Sequence, residues 1–398
     1  MPLTVLSDFD VNKILHSYNK EDIEALQETL ADALHWYSTS NDANDACSDY
    51  QPERTHLKRK DGSTTLFMPA SGLTGQGIKV VNIVPPDATG LPAFKDDASL
   101  GSGLINAEEV TAFRTALAAT MLLKKRHSVH TITIFGAGKQ AYWHARLALL
   151  LRGPECHHLN IITRNFSTAQ QMIQRLYNPQ PEDPDYVNHI GPGYNSKTKK
   201  EILTPSHTEY HRLLKQYVRQ SEVIFTTTPS TTPLFPATYL TNPSGRTKGR
   251  YISCIGSYTP SMVEIHPDIL RYAVAPHHEH RHIHKRQKEG GAIIVDTVSG
   301  CLKEAGEVIQ AGLKPDQVVE LGELFMLKRD AEKRMKEKGE KTTEGGCNLQ
   351  ENAGLREWLT RGNVIYKSVG LGLMDVTVGN ALVETARERG VGVTIERF

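Results

Sequence analysis

The sequence predicts an α/β protein in which a doubly wound parallel sheet is joined to a second, α+β domain built from both chain ends. Three observations carry that expectation. Residues 131–141, Thr-Ile-Thr-Ile-Phe-Gly-Ala-Gly-Lys-Gln-Ala, are an apolar run that closes in Gly-x-Gly-x-x-Ala and opens into a helix-forming stretch over 142–151. Downstream, β-prone runs at 159–163, 223–227, 251–255 and 292–296 alternate with helical segments such as 167–176, the pattern of a parallel sheet covered on both faces. Upstream, between residues 54 and 84, short β-prone pieces at 64–68 and 78–84 are broken by glycine and proline, which reads as a sheet unrelated to the first.

The remaining elements follow from periodicity. Val11, Ile14, Leu15, Ile23, Leu26, Leu30, Ala33 and Leu34 recur at spacings of three and four, as half-buried helices require, and 108–123 is again helical. The run 363–375 and the helical 376–389 are expected to leave the parallel sheet and return to the first domain. The domains are therefore read as 1–125 and 321–398, forming the second domain, and 126–320, forming the parallel-sheet domain. Polar stretches at 178–200, 277–288 and 329–346 read as surface insertions.

Composition narrows the function. With 46 basic and 45 acidic side chains, the net charge of +1 offers no long-range field for nucleic acid or an anionic membrane, so small-molecule partners are expected. Five scattered cysteines, with no Cys-x-x-Cys pair, suggest neither a disulfide framework nor a zinc site. Residues 1–20 lack the basic start and apolar core of a secretion signal, and no run is long and apolar enough to span a bilayer. A cytoplasmic protein is expected.

The glycine turn is the sharpest chemical signal. Gly136 permits the tight turn, Gly138 lets backbone approach a pyrophosphate, and small Ala141 lets the helix pack on the strand, with Lys139 and Gln140 in the first turn facing the anion. Simple packing also uses glycine turns, but strand-turn-helix order makes this a Rossmann-type dinucleotide site. About twenty residues beyond the glycines, an acidic residue would accept from adenine-ribose hydroxyls. Thr163-Arg164-Asn165 stands there instead, so Arg164 points to NADP(H), with NAD(H) possible. Thr227 and Thr228 end one strand where such sheets bind ligands, and Ile255, Gly256 and Ser257 end the next. Lys79 interrupts the apolar strand 78–84, which argues for function, because a partly buried lysine needs a partner or a task.

His277, His278, His280, His282 and His284 lie among charged residues and read as a solvated insertion, so no metal is expected. Asp296 ends an apolar strand and reads as the cap of the helix that follows near Ser299.

Taken in order, Arg54-Thr-His-Leu, Met68-Pro-Ala, Gly77-Ile-Lys-Val-Val, Thr111-Ala-Phe-Arg-Thr-Ala, Phe135-Gly-Ala-Gly-Lys-Gln-Ala, Glu320-Leu-Gly-Glu and Lys367-Ser-Val-Gly-Leu resemble the ornithine cyclodeaminase/mu-crystallin family over nearly the whole chain. The resemblance implies a homodimer that handles amino or imino acids with NAD(P). It also implies that Arg54, Lys79 and Arg114 grip the substrate carboxylate, Arg114 lying between substrate and coenzyme; Ser368 and Val369 are expected to close the pocket from the other domain. Lys79 could additionally pass a proton to or from the imine nitrogen. Family cyclodeaminases carry an aspartate two residues after the glycine matching Gly256, where this chain has Tyr258. With an ordinary pKa of about 10, a tyrosine is no anionic partner for the second amino group of ornithine.

The leading expectation is thus an NADP(H)-dependent ketimine reductase or amino-acid dehydrogenase. Ornithine cyclodeamination to proline is the second, and a non-catalytic NADPH-binding protein the third. Net coenzyme turnover separates the first two; coenzyme binding without reduction of any imino acid would mark the third.

Overall fold

The structure, a computed structural model, describes residues 2–39, 51–72, 75–84, 93–100, 103–180, 186–190, 197–275, 291–325 and 359–397. Its contacts divide the chain into two compact units, Met1–Ala118 with Pro179–His189 and Gly370–Phe398, and Ala119–Asn178 with Ile190–Val369.

The first unit is built on a mixed sheet. In chain order it contains β1 (Leu3–Leu6), α1 (Asp8–Ser17), α2 (Lys20–Thr39), β2 (Thr55–Lys58), β3 (Thr64–Gly72), β4 (Gly75–Val84), β5 (Ala93–Leu100), β6 (Gly103–Asn106) and most of α3 (Ala107–Met121). The apolar periodicity over 10–37 is split into two helices by local capping. Asn19 Oδ1 accepts from the Asp22 amide at 2.8 Å and Asp22 Oδ2 from the Asn19 amide at 2.9 Å, a reciprocal start signal that ends α1 and begins α2.

The second unit continues with β7 (Thr131–Phe135), α4 (Lys139–Arg152), β8 (His158–Ile162), α5 (Phe166–Tyr177), β9 (Lys199–Leu203), α6 (Tyr210–Gln220), β10 (Val223–Thr226) and β11 (Tyr251–Cys254). It then runs through α7 (Pro267–Val274), β12 (Gly291–Val295), α8 (Val298–Glu304), α9 (Gly306–Ala311), β13 (Val319–Glu320) and β14 (Asn363–Lys367). The chain re-enters the first unit with α10 (Gly372–Arg389) and β15 (Val393–Ile395).

Seven strands form the first sheet, in the order β15-β1-β6-β5-β4-β3-β2. Leu66, Met68 and Val81 bury one of its faces, and α10 lies along β3 and β4 and against α2. The second sheet has eight strands, β13-β12-β14-β11-β10-β7-β8-β9, every pair of them parallel. Its order from β9 through β8 and β7 to β10 and β11 reverses direction between β7 and β10, and open α/β sheets bind ligands at that reversal. The interior strands β10, β11 and β12 are buried on both faces, so they read as continuous runs rather than alternating ones.

One expectation is corrected. The run 363–375 does not leave the parallel sheet: β14 lies inside it, Val364, Ile365 and Tyr366 pairing with Tyr251, Ile252 and Ser253 on one side and with Ala292, Ile293 and Ile294 on the other. The return to the first unit comes at Gly370 rather than at residue 321, so Ser368 and Val369 belong to the parallel-sheet unit and not, as expected, to the other domain. Strand order is set by pairing partners, not by chain order, so the last strand of the unit occupies an interior position that its sequence place does not announce. Among the described residues, no helix is long and apolar enough to cross a membrane. The stretches around 277–284 and 329–346 lie outside the described residues.

Candidate functional site

The glycine turn lies at the sheet reversal. Gly136 has φ +111°, and a Cβ on it would stand 2.6 Å from Thr227 Oγ1, so both backbone conformation and packing demand glycine there. Gly138 is the N-cap of α4 and supplies no side-chain cap, and no atom lies within 4 Å of the place its Cβ would take. The first intrahelical bond runs from the Tyr142 amide to Gly138 O at 3.0 Å. The amides of Lys139, Gln140 and Ala141 therefore precede the helical ladder, at the positive end of the helix dipole. Ala141 is buried.

Around this turn the other strand ends are close-packed. The Thr227 amide and hydroxyl both donate to Phe135 O, at 3.0 and 2.8 Å, which locks β10 to β7. Thr228 Oγ1 is buried and makes no hydrogen bond with protein. Gly256 is held even more tightly, because a Cβ there would stand 2.2 Å from Thr228 O. Arg164 is exposed just beyond β8, while the neighbouring Asn165 is committed to capping α5, its Oδ1 accepting from the amides of Ser167 and Thr168. A turn open beside a helix N-terminus, an orphaned hydroxyl and an exposed cation fit a dinucleotide: the first for the pyrophosphate, the others for polar groups along the ligand.

Beneath these strand ends runs a belt of buried charge. Glu264 Oε1 accepts from the Thr228 amide at 2.8 Å and Oε2 from the Gly256 amide at 2.6 Å. Lys367 Nζ donates to Ser257 O at 2.6 Å and Ser257 Oγ at 2.7 Å and pairs with Glu307 at 3.2 Å, both ionic side chains being 1 % exposed. The Ser257 hydroxyl in turn donates to Glu307, so it is turned inward. Burial raises the Glu264 carboxyl to about 7 against the opposing pull of Lys367. Burial alone would lower the Lys367 ammonium, but Glu307 and Glu264 outweigh it and hold it above its ordinary value.

Asp296 differs from its expected role. Its carboxylate accepts from the Ser368 hydroxyl at 2.7 Å and from the amides of Val369 and Thr297 at 3.1 and 3.0 Å, tying β12 to the end of β14. The cap of α8 comes from Glu320, whose Oε1 accepts from the Val298 amide at 2.8 Å. A longer side chain from the adjacent strand reaches the helix start, and Asp296 bridges strands instead.

In the first unit, Lys79 on β4 and Arg114 on α3 share Asp375 at the start of α10. Lys79 Nζ donates to Asp375 Oδ1 at 3.0 Å and Thr111 Oγ1 at 2.6 Å, and Arg114 Nε lies 3.3 Å from the same carboxylate. The side chains are 2 %, 6 % and 1 % exposed for Lys79, Arg114 and Asp375. Arg114 Nη1 also donates to Met374 Sδ at 3.4 Å. Gly370, at φ +90°, presses on the guanidinium so closely that a Cβ would stand 2.8 Å from Arg114 Nη2, and Arg54 Nη2 donates to Gly370 O at 3.0 Å. The three expected cations thus gather around one carboxylate and one glycine.

No family model matches the chain. Its sequence is 27 % identical over 376 residues to a Delta(1)-pyrroline-2-carboxylate reductase of Bacillus cereus, covering 88 % of this chain and 92 % of that one. Its fold matches the Thermococcus litoralis Delta(1)-pyrroline-2-carboxylate reductase solved with NADH and L-proline, with TM-score 0.67 and 18 % identity over 98 % of this chain and 100 % of that one. A probable ornithine cyclodeaminase from Bordetella pertussis matches with TM-score 0.63 and 20 % identity, over 98 % and 99 %. The chain is thus similar in sequence to pyrroline-2-carboxylate reductases and a cyclodeaminase, and shares the fold of solved members of both kinds.

Within this fold, sequence reasoning found the glycine turn and the cations but missed Asp375, which holds two of the cations, and Glu264, which holds the Thr228 and Gly256 amides. Asp375 ends the run 363–375 and Glu264 lies beyond the strand 251–255, and neither carries a local motif. A buried acid is legible only when its partners are known. Tyr258 is half-buried, and burial pushes its phenol to about 12, so it is neutral at ordinary pH. Among the described residues no three His, Cys, Asp or Glu side chains are grouped to hold a metal.

Proposed function

We propose that this chain is an NAD(P)H-dependent imino-acid reductase of the ornithine cyclodeaminase/mu-crystallin family, reducing a 2-imino acid at the carbon beside its carboxylate. The observation that carries the reading is the cluster of buried Lys79 and Arg114 and partly buried Arg54 about Asp375 and Gly370, in a chain whose other unit holds a dinucleotide turn. When bound, the reduced nicotinamide supplies the hydride. Arg54 and Arg114 hold the substrate carboxylate through charge-assisted bonds, for which the planar guanidinium is suited. Lys79, oriented by Asp375 and Thr111, donates a proton to the substrate nitrogen as hydride reaches carbon, so the C=N bond becomes CH–NH. Tyr258, neutral where a cyclodeaminase carries aspartate, supports reduction over ring closure of ornithine.

We infer a preference for NADP(H) from exposed Arg164, which has no carboxylate beside it to accept from the ribose hydroxyls. A homodimer is supported by apolar side chains left exposed on the seven-stranded sheet: Leu104, Val393 and Ile395 are 45 %, 63 % and 42 % exposed, and Leu104 and Val393 flank Val5 in register. Buried free thiols at Cys156, Cys254 and Cys301 suit a reducing, cytoplasmic compartment.

The test is a coenzyme-consumption screen with NADPH and NADH over cyclic imines such as pyrroline-2-carboxylate and over 2-oxo acids with ammonia. The expected result is stoichiometric loss of the reduced nicotinamide absorbance. Proline formed from ornithine with no net coenzyme change would replace this reading with cyclodeamination. Coenzyme binding without reduction of any imino acid, together with intact ligand binding in K79A, would replace it with a non-catalytic role.

A further inference from the structure

We propose that Glu264 is a positioning residue for the coenzyme: it does not touch the ligand but sets the spacing of the Thr228 and Gly256 loops that border it. This rests on the coenzyme reading of the parallel-sheet unit. Glu264 is fully buried, so it acts through its neighbours. Its two carboxylate oxygens accept from the amides of two different loops, Thr228 after β10 and Gly256 after β11, and so bridge adjacent strand ends on the ligand side of the sheet.

The loops have little slack to absorb a change. Gly256 approaches the backbone of Thr228 closely enough that a Cβ would overlap it, and Thr228, whose amide Glu264 holds, carries the orphaned hydroxyl of the site. The groups that face Glu264 are Lys367 from β14, Glu307 from α9 and Cys254 from β11. Lys367 is itself hydrogen-bonded to Ser257, the residue after Gly256. The bracket thus continues from β10 through β11 to β14.

Both oxygens accept an N–H as charge-assisted acceptors only while the carboxyl is ionised. Once protonated, one oxygen becomes a hydroxyl and a weaker acceptor, the charge assistance is lost and the bracket between the loops loosens. Burial places that change near pH 7, because the Glu264 carboxyl is raised to about 7.

The experiment measures the dissociation constant of NADH for the full-length protein from pH 6 to 8.5, in wild type and E264Q. NADH is the probe because it lacks the 2′-phosphate, whose own titration falls near pH 6. Wild type is expected to bind about tenfold more weakly at pH 6 than at pH 8.5, the loss of roughly one charge-assisted bond. E264Q, which presents an amide N–H₂ to one of the two amides, is expected to bind weakly at every pH with a flat profile. An E264Q profile superimposable on wild type would overturn the positioning role alone. Wild type that bound neither NADH nor NADPH at any pH would overturn the coenzyme reading itself. Should E264Q not fold, hydrogen-exchange protection of the Thr228 and Gly256 amides in wild type decides: it must fall from pH 8.5 to 6 relative to that of Ile134 in the same sheet, and unchanged protection would overturn the proposal.

Discussion

Replacing Asp375 with asparagine keeps the shape of the side chain and removes the charge that Lys79 and Arg114 share. The cluster is almost wholly buried, at 1 %, 2 % and 6 % exposure for Asp375, Lys79 and Arg114, so water cannot take over the solvation of the two cations. Removing one partner of such a pair costs about 3–5 kcal/mol, far above the roughly 0–1 kcal/mol of an exposed ion pair. Against a typical total stability of about 5–15 kcal/mol, that is a large loss. The amide oxygen of the introduced asparagine could still accept from Lys79 Nζ, which places the expectation at the lower end, about 3 kcal/mol. Chemical denaturation of wild type, D375N, K79M and the double variant forms a cycle. If the carboxylate acts through Lys79, the double variant loses about 1–3 kcal/mol less than the sum of the single ones. In the reductase assay D375N is expected to raise KM for the imino acid and lower kcat, since both the grip and the proton donor lose their anchor. Additive stability losses in the cycle, or a D375N protein within about 0.5 kcal/mol of wild type, would refute the buried-pair argument.

Three further outcomes follow from the same geometry. Gly136→Ala forces a Cβ to 2.6 Å from Thr227 Oγ1 at φ +111°, so NADPH and NADH binding, measured by nicotinamide fluorescence, are expected to fall at least tenfold, while the shift in melting temperature reflects backbone strain of about 1–3 kcal/mol. Arg164→Glu places a carboxylate where ribose hydroxyls are expected, so the ratio of NADPH to NADH affinity is expected to drop by an order of magnitude or more; an unchanged ratio would refute the coenzyme preference. His144 is fully buried, and burial lowers its pKa from 6.5 to about 4. Because the unfolded chain then binds the proton first, its contribution is present above pH 6.5 and lost as pH falls through about 4. At about 1.36 kcal/mol per pH unit the loss is worth about 3 kcal/mol, and subtracting the stability–pH curve of H144L from that of wild type should isolate it.

What the sequence determined by itself was local. The strand, glycine turn and helix at 131–151 were legible because turn chemistry and apolar periodicity act over a few residues, and β7 runs over Thr131–Phe135 where the apolar run stands. Lys79 announced itself by breaking an apolar strand. Tertiary structure decided which distant groups became neighbours. β14 entered the interior of the parallel sheet because its apolar residues are satisfied on both edges by β11 and β12, a fact of pairing that no run of residues encodes alone. Asp296 lost its expected capping role for the same reason, since reach from an adjacent strand end decided that Glu320 capped α8. Asp375 stands 296 residues from Lys79, and only the packing of α10 against β4 makes the two a pair. Burial is what turns such a meeting into energy: away from water a charge must find its partner within the fold, and the fold alone says where that partner is.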